Sequence, residues 1–144
     1  TGFSDRWAAE VSEEVLYQQA DIISIHLPLN EETRFLGNND FFARCRKGVY
    51  LINTSRGPIV ETEALVAALD SGQVAGACLD VLEFESTSFE KLSKSALPPA
   101  FEALVNHKKV VLSPHIAGWT HASYRKMSTY LADKIDHAFG RQSG

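Results

Sequence analysis

The stretch Val49–Pro58 reads VYLINTSRGP. Its first half is apolar and β-branched on both alternations, the pattern of a strand buried on two faces. Its second half closes the strand with polar groups and a Gly-Pro turn signal. Three other runs have the same form: Asp21–Leu27 (DIISIHL), Val74–Val81 (VAGACLDV) and Lys109–Ser113 (KVVLS). Helical patterns lie between and around them. Ser12 is placed to cap a helix through Ala20, with Glu13 and Glu14 in its first turn. Asn38 caps a second, through Phe41, Phe42 and Cys45, which stops before Gly48. A third runs from about Glu61 to Asp70, with Ala64, Leu65, Ala68 and Leu69 on one face and Gly72 just past its end. Thr120 is placed to cap the last and longest helix, in which Tyr124, Met127, Leu131, Ile135 and Ala138 recur at spacings of three and four. Strand–helix alternation of this kind predicts an α/β fold, a parallel sheet with helices on its faces. Only the segment from Glu83 to Lys108 breaks the rhythm. It is too long for a simple connection, and Ala100–Val105 can form a helix within it, entered through Pro98 and Pro99.

Length and composition narrow the possibilities. A chain of 144 residues can build one domain with a hydrophobic core, and 44% apolar with 22% charged residues is ordinary globular usage. A net charge of −4 and the lack of any Lys/Arg cluster argue against a nucleic-acid partner. No run approaches the roughly 18 apolar residues of a membrane span. The start shows no basic-then-apolar signal segment, so the cytoplasm is the default location. Cys45 and Cys78, the two cysteines, are far apart and lack metal-ligand spacing. They read as free, buried thiols, and no metal site is expected.

In open α/β sheets, ligands bind outside the carboxyl ends of the strands. The four runs end in His26-Leu27-Pro28, in Asn53-Thr54-Ser55-Arg56-Gly57-Pro58, in Asp80 with Glu83 and Glu85 beyond, and in Ser113-Pro114-His115-Ile116-Ala117-Gly118. An arginine, carboxylates and a histidine thus converge on one edge, as in an acid–base and anion-binding site. An arginine fork holds a planar carboxylate bidentately. A histidine gives or takes a proton near neutral pH, and a carboxylate on its ring favours the protonated form and fixes its orientation. Such a set can protonate a carbonyl oxygen while hydride, which no side chain supplies, arrives from a cofactor. His107, His121 and His137 read as exposed residues without a role. Trp119 reads as packing on a helix, with walling a substrate pocket the alternative.

The segments ADIISIHLPLNEETRFLGNNDFF, LINTSRGPIV, AGACLDVLEFE and VVLSPHIAGWT resemble the D-isomer-specific 2-hydroxyacid dehydrogenase family, in order and spacing, over about Ser12 to Phe139. The PHIAGWT variant and the long insert look most like its phosphoglycerate-dehydrogenase-like branch. The resemblance implies a Rossmann-like, doubly wound parallel sheet and an NAD cofactor, with NADP the alternative. By position it implies that Arg56 binds the substrate carboxylate and carbonyl, and that His115 is the catalytic acid/base. It places the histidine's glutamate partner at Glu85, with Glu83 the competitor. Ser86 stands where the family usually has proline, so the turn there can differ. Asp80 matches the residue that contacts the nicotinamide amide. His26 and Pro28, Thr54 and Ser55, and the backbone of His115, Ala117 and Gly118 match segments lining the dinucleotide. A second reading stays open: corepressors that resemble this family use the fold to sense dinucleotide, and some keep the same three residues.

No two of the nine glycines are two residues apart, so the fingerprint G-x-G-x-x-G is absent, as is the acidic residue that follows it. Residues 1–144 are therefore expected to be part of a dinucleotide-binding domain, a fragment of a longer enzyme and inactive alone, without the first two strands and the Gly-rich loop. Asp21–Leu27 is assigned to the third strand of the 3-2-1-4-5-6 order. It must then be orphaned, pair directly with the Val49–Thr54 strand, or pair with another chain, and a homodimer or swapped oligomer is expected.

Overall fold

The computed structural model describes residues 4–84 and 98–140. Within it the chain divides into two compact units, Thr1–Pro114 and His115–Gly144.

Each helix starts where a side chain or a proline deals with the free N–H groups of its first turn. Ser12 Oγ accepts from the Val15 N–H (3.4 Å) at the head of α1, Glu13–Gln19. Asn38 Oδ1 accepts from the Phe41 N–H (3.0 Å) at the head of α2, Asn39–Arg44. Both caps stand where the sequence placed them. α3, Thr62–Asp70, has no such cap from Glu61, the residue before it. Its cap comes from 21 residues further on, where Glu83 Oε2 accepts from the Thr62 N–H at 2.8 Å. The far end of α3 is tied as well, by Lys109 Nζ donating to the Leu69 carbonyl at 2.7 Å. α4, Pro99–Val105, opens on a proline, which has no N–H to satisfy.

The strands are β1 (Ile22–Ile25), β2 (Val49–Asn53), β3 (Val74–Leu79) and β4 (Val110–Leu112), all parallel, in the spatial order β1-β2-β3-β4. Register builds two kinds of row across the sheet. Ile23, Leu51, Ala77 and Val110 form one, and Ser24, Ile52, Cys78 and Val111 the next. The first kind packs beneath the helices. Its core joins Leu51 and Leu79 to Phe41 and Phe42 of α2, Leu65 and Leu69 of α3 and Leu104 of α4.

This order corrects the assignment of Asp21–Leu27 to the third strand. β1 pairs with β2 along its whole length, Ile22 opposite Tyr50 to Ile25 opposite Asn53. In the 3-2-1-4-5-6 order the fourth, fifth and sixth strands lie side by side in sequence order, so β1 beside β2 fits the fourth place rather than the third. Periodicity reports which residues a strand buries and says nothing about its lateral neighbour. Of the three arrangements expected for this strand, direct pairing with the Val49–Thr54 run is the one observed, and β1 forms the edge of the sheet.

Three smaller expectations are also corrected. Cys45 is buried, but Cys78 lies on the open face of the sheet and is exposed. The His107 side chain is only 15% exposed, with Nε2 3.4 Å from Asp70 Oδ1. Trp119 is 70% exposed.

The second unit holds a turn closed by the Trp119 N–H on the Ile116 carbonyl (2.8 Å), then α5, His121–Phe139. Thr120 Oγ1 caps α5 through the Ser123 N–H at 3.0 Å, as its sequence predicts. Its apolar stripe of Tyr124, Met127, Leu131 and Ile135 is exposed, and no residue of the helix is buried. Among the described residues, no helix is long and apolar enough to cross a membrane.

Candidate active site

Parallel strands bring all their carboxyl ends to one edge, and in the first unit that edge carries the polar residues singled out from the sequence. His26 and Pro28 follow β1 and are exposed. The His26 ring is held by Ser24, whose Oγ lies 2.8 Å from Nε2. The loop after β1 is closed on itself by Thr33, whose N–H donates to Asn30 Oδ1 (2.9 Å) and whose hydroxyl donates to the Pro28 carbonyl (2.6 Å).

Thr54, Ser55 and Arg56 follow β2. Ser55 Oγ donates to the Leu27 carbonyl, which ties the loop after β2 to the loop after β1. Arg56 has an extended backbone (φ −143°, ψ 137°) just before a 3-10 turn, Gly57–Ile59. Its side chain is exposed, with one guanidinium nitrogen donating to the Ser55 carbonyl at 2.7 Å. An exposed guanidinium on a fixed backbone can meet an incoming anion and still hold a defined place.

Asp80 follows β3 and is 4% exposed. Burying a carboxylate is costly unless it is paired or hydrogen-bonded. Here Ser113 Oγ, at the end of β4, donates to Asp80 Oδ1, and the Asp80 N–H donates to the Asn53 carbonyl at 2.9 Å. Asp80 thus cross-links the carboxyl ends of β2, β3 and β4.

Glu83 is half-buried and holds the first N–H of α3, as described above. Glu85 lies outside the described residues. His115 opens the second unit and has a left-handed backbone, φ 55°. That conformation is uncommon for residues other than glycine, and where it occurs it concentrates at functional sites. Ala117 and Gly118 follow it in the same exposed turn, and open space surrounds the position a Gly118 Cβ would take. Among the described residues, no group of three or more His, Cys, Asp or Glu could hold a metal ion.

The residue that the sequence reading passed over is Asn53. It ends β2, is 1% exposed, and spans the following turn with its carboxamide. An Asn that accepts from the N–H two residues on is an Asx turn, and Asn directly before Thr-Ser-Arg-Gly was the available signal.

The pattern of the NAD-binding domain of D-isomer specific 2-hydroxyacid dehydrogenases matches residues 3–117. The chain is similar to a glyoxylate reductase of Thermofilum pendens, 44% identical over 122 residues, which is 85% of this chain and 33% of that protein. It is also similar to D-3-phosphoglycerate dehydrogenase of Bacillus subtilis, 39% identical over 123 residues, which is 85% of this chain and 21% of the relative. Among solved structures, the NAD-complexed form of the D-isomer specific 2-hydroxyacid dehydrogenase from Lactobacillus delbrueckii ssp. bulgaricus matches with a TM-score of 0.76 and 36% identity. That match covers 92% of this chain and 41% of the solved one. The chain therefore spans a third or less of the length of these two curated relatives.

Proposed function

Since the chain belongs to the D-isomer specific 2-hydroxyacid dehydrogenases, as part of their NAD-binding domain, we propose that the full-length protein moves a hydride between NAD(H) and C2 of a 2-hydroxy or 2-keto acid. The observation that carries this reading is the carboxyl edge of the sheet. Arg56 follows β2 there on a turn held by Asn53, and the buried Asp80 follows β3, cross-linked to Ser113 and Asn53. Within the family, and on this donor set, such an edge suits an anionic substrate next to a nicotinamide.

The residues present fit the cofactor. A buried carboxylate at Asp80 can accept from the nicotinamide amide. In the first unit His26, Pro28, Thr54 and Ser55 would line the dinucleotide, and the family resemblance assigns the same part to the backbone of His115, Ala117 and Gly118. When bound, NAD supplies or accepts the hydride. The chain's own residues do the rest. Arg56 pairs with the carboxylate that every 2-keto acid carries beside its reacting carbon. His115 gives a proton to the carbonyl oxygen in reduction and takes it back in oxidation. Glu85 is the partner that keeps the His115 ring protonated and oriented. Glu83 is already engaged at α3, which favours Glu85 for that place.

The narrower form of the proposal is phosphoglycerate-dehydrogenase-like substrate choice, supported by the Bacillus subtilis relative and set against the glyoxylate reductase. Kinetics of the full-length protein with NADH on glyoxylate, pyruvate, hydroxypyruvate and phosphohydroxypyruvate separate the two. His115→Ala is expected to lose at least about a hundredfold in turnover, the scale of general acid–base catalysis. Turnover within a few-fold of wild type would remove His115 from the mechanism. NADH binding without turnover of any 2-keto acid would favour a dinucleotide-sensing module instead.

A further inference from the structure

We propose that Asn53 is a positioning residue for substrate binding, acting through Arg56. The inference rests on the reading above, in which Arg56 anchors the substrate carboxylate.

A carboxamide offers an acceptor and a donor at fixed separation, and Asn53 uses both on one turn. Its Oδ1 accepts from the Ser55 N–H at 3.0 Å, and its Nδ2 donates to the Arg56 carbonyl at 3.0 Å. The turn is thus held just before and just after the arginine's own Cα. The clamp is itself anchored, because the Asn53 main-chain carbonyl accepts from the Asp80 N–H. Asn53 is 1% exposed, so its end of both bonds is shielded from water, which strengthens them relative to bonds on the open surface.

The next residue locks the turn from the other side. A Cβ on Gly57 would lie 1.8 Å from the Leu82 carbonyl oxygen and 2.7 Å from the Glu83 nitrogen. Two main chains therefore touch at Gly57, the turn that carries Arg56 and the loop that runs from Asp80 toward Glu85. Neither chain can shift without moving the other. The guanidinium stays exposed while Asn53 and Gly57, which fix its origin, are buried. A long, flexible side chain gives a defined carboxylate site only if its base does not move.

Asn53→Asp is the sharpest probe. It keeps the size and the acceptor for Ser55, and sets a carboxylate oxygen against the Arg56 carbonyl where a donor stood. In the full-length protein we expect the 2-keto acid KM to rise about tenfold or more with kcat and the NADH KM within about threefold, the split that marks lost ground-state binding. Ser55 amide exchange in the variant should be at least about tenfold faster, a readout independent of turnover. Arg56→Lys is the control for the underlying reading. If it leaves the 2-keto acid KM unchanged, Arg56 is not the anchor and that reading fails first. If it raises KM, adding Asn53→Asp to it should change KM by less than about twofold, because the two act through one contact. A folded Asn53→Asp protein with wild-type KM, or effects that multiply in the double variant, overturns the positioning role. Should Asn53→Asp fail to fold, Asn53→Ser, whose single shorter hydroxyl cannot span both bonds as the carboxamide does, carries the same comparison.

Discussion

Leu51 and Tyr50 are neighbours on β2 and opposites in the fold, 2% and 52% exposed. The contrast runs across the whole sheet. On one face Ile23, Leu51, Ala77 and Leu79 are buried under α2, α3 and α4. On the other, Ile22, Tyr50, Cys78 and Val111 are exposed. Both faces carry apolar side chains, and they differ in cover. Handedness gives the reason. Crossovers between parallel strands are right-handed. Strands added in one lateral direction, β1 to β4, therefore place every crossover helix on the same side. A sheet covers both faces only when its strand order reverses, as in a doubly wound domain. The apolar run in each strand suits cover on two sides, and the chain's own crossovers supply one.

The largest effect that can break this comparison is a pair of truncations at adjacent positions. Leu51→Ala should cost about 2–5 kcal/mol of stability, the range for a buried leucine that leaves a cavity. Tyr50→Ala should cost under about 1 kcal/mol, as for a side chain at the surface. Denaturant midpoints of the 144-residue chain measure both. Equal losses would mean that the open face is covered in solution, and the contrast would be void.

A smaller effect sharpens the link between the covered face and the site. Glu83 caps α3 from the loop beyond β3, so Glu83→Ala should lower stability by about 1 kcal/mol, the usual value of a cap. Glu83→Gln keeps the acceptor and should lose less. Turnover per folded molecule of the full-length protein should be unchanged in both. A large fall in turnover with no change in stability would make Glu83 the partner of His115 and displace Glu85.

Much of this was legible because it is local. All four strands, the caps at Ser12, Asn38 and Thr120 and the polar strand ends are written within a few residues of where they act. What was not legible depends on distance along the chain. Glu83 reaches back 21 residues to α3, and Lys109 reaches back 40 to Leu69. His107 reads as a loop histidine until α4 and α3 bring it to Asp70. The place of β1 follows from which strand it pairs with, and two equally apolar runs carry no mark of their order. The site divides the same way. Arg56, Asp80 and His115 announce themselves by residue type at a strand end, whereas Asn53, which fixes the Arg56 turn, is polar and ordinary until its burial is seen.

The two thiols give the smallest and cleanest test, since one lies with each face. Cys45 ends α2 inside the core, and burial pushes its thiol up from the ordinary 9.0, with the Arg44 guanidinium opposing in part. Cys78 sits on the open face of β3 and is exposed. The thiolate is the reactive form, so near neutral pH Cys78 should alkylate at least about ten times faster than Cys45. Mass spectrometry after a short pulse of iodoacetamide reads the ratio. The raised Cys45 value has a second consequence, with a definite sign. Below pH 9.0 the thiol is protonated in both folded and unfolded chains and does not bias the equilibrium. As pH rises past 9.0 the unfolded chain ionises first, so stability falls with pH until the folded thiol ionises too. Tyr17, raised from 10.0 by burial and by its neighbour Glu13, adds a loss of the same sign at higher pH. Cys45→Ala should remove the lower of these two steps, and Cys78→Ala should remove neither. If both thiols react at one rate in the folded chain, the covered face opens as readily as the bare one, and the distinction between them is one of shape without stability.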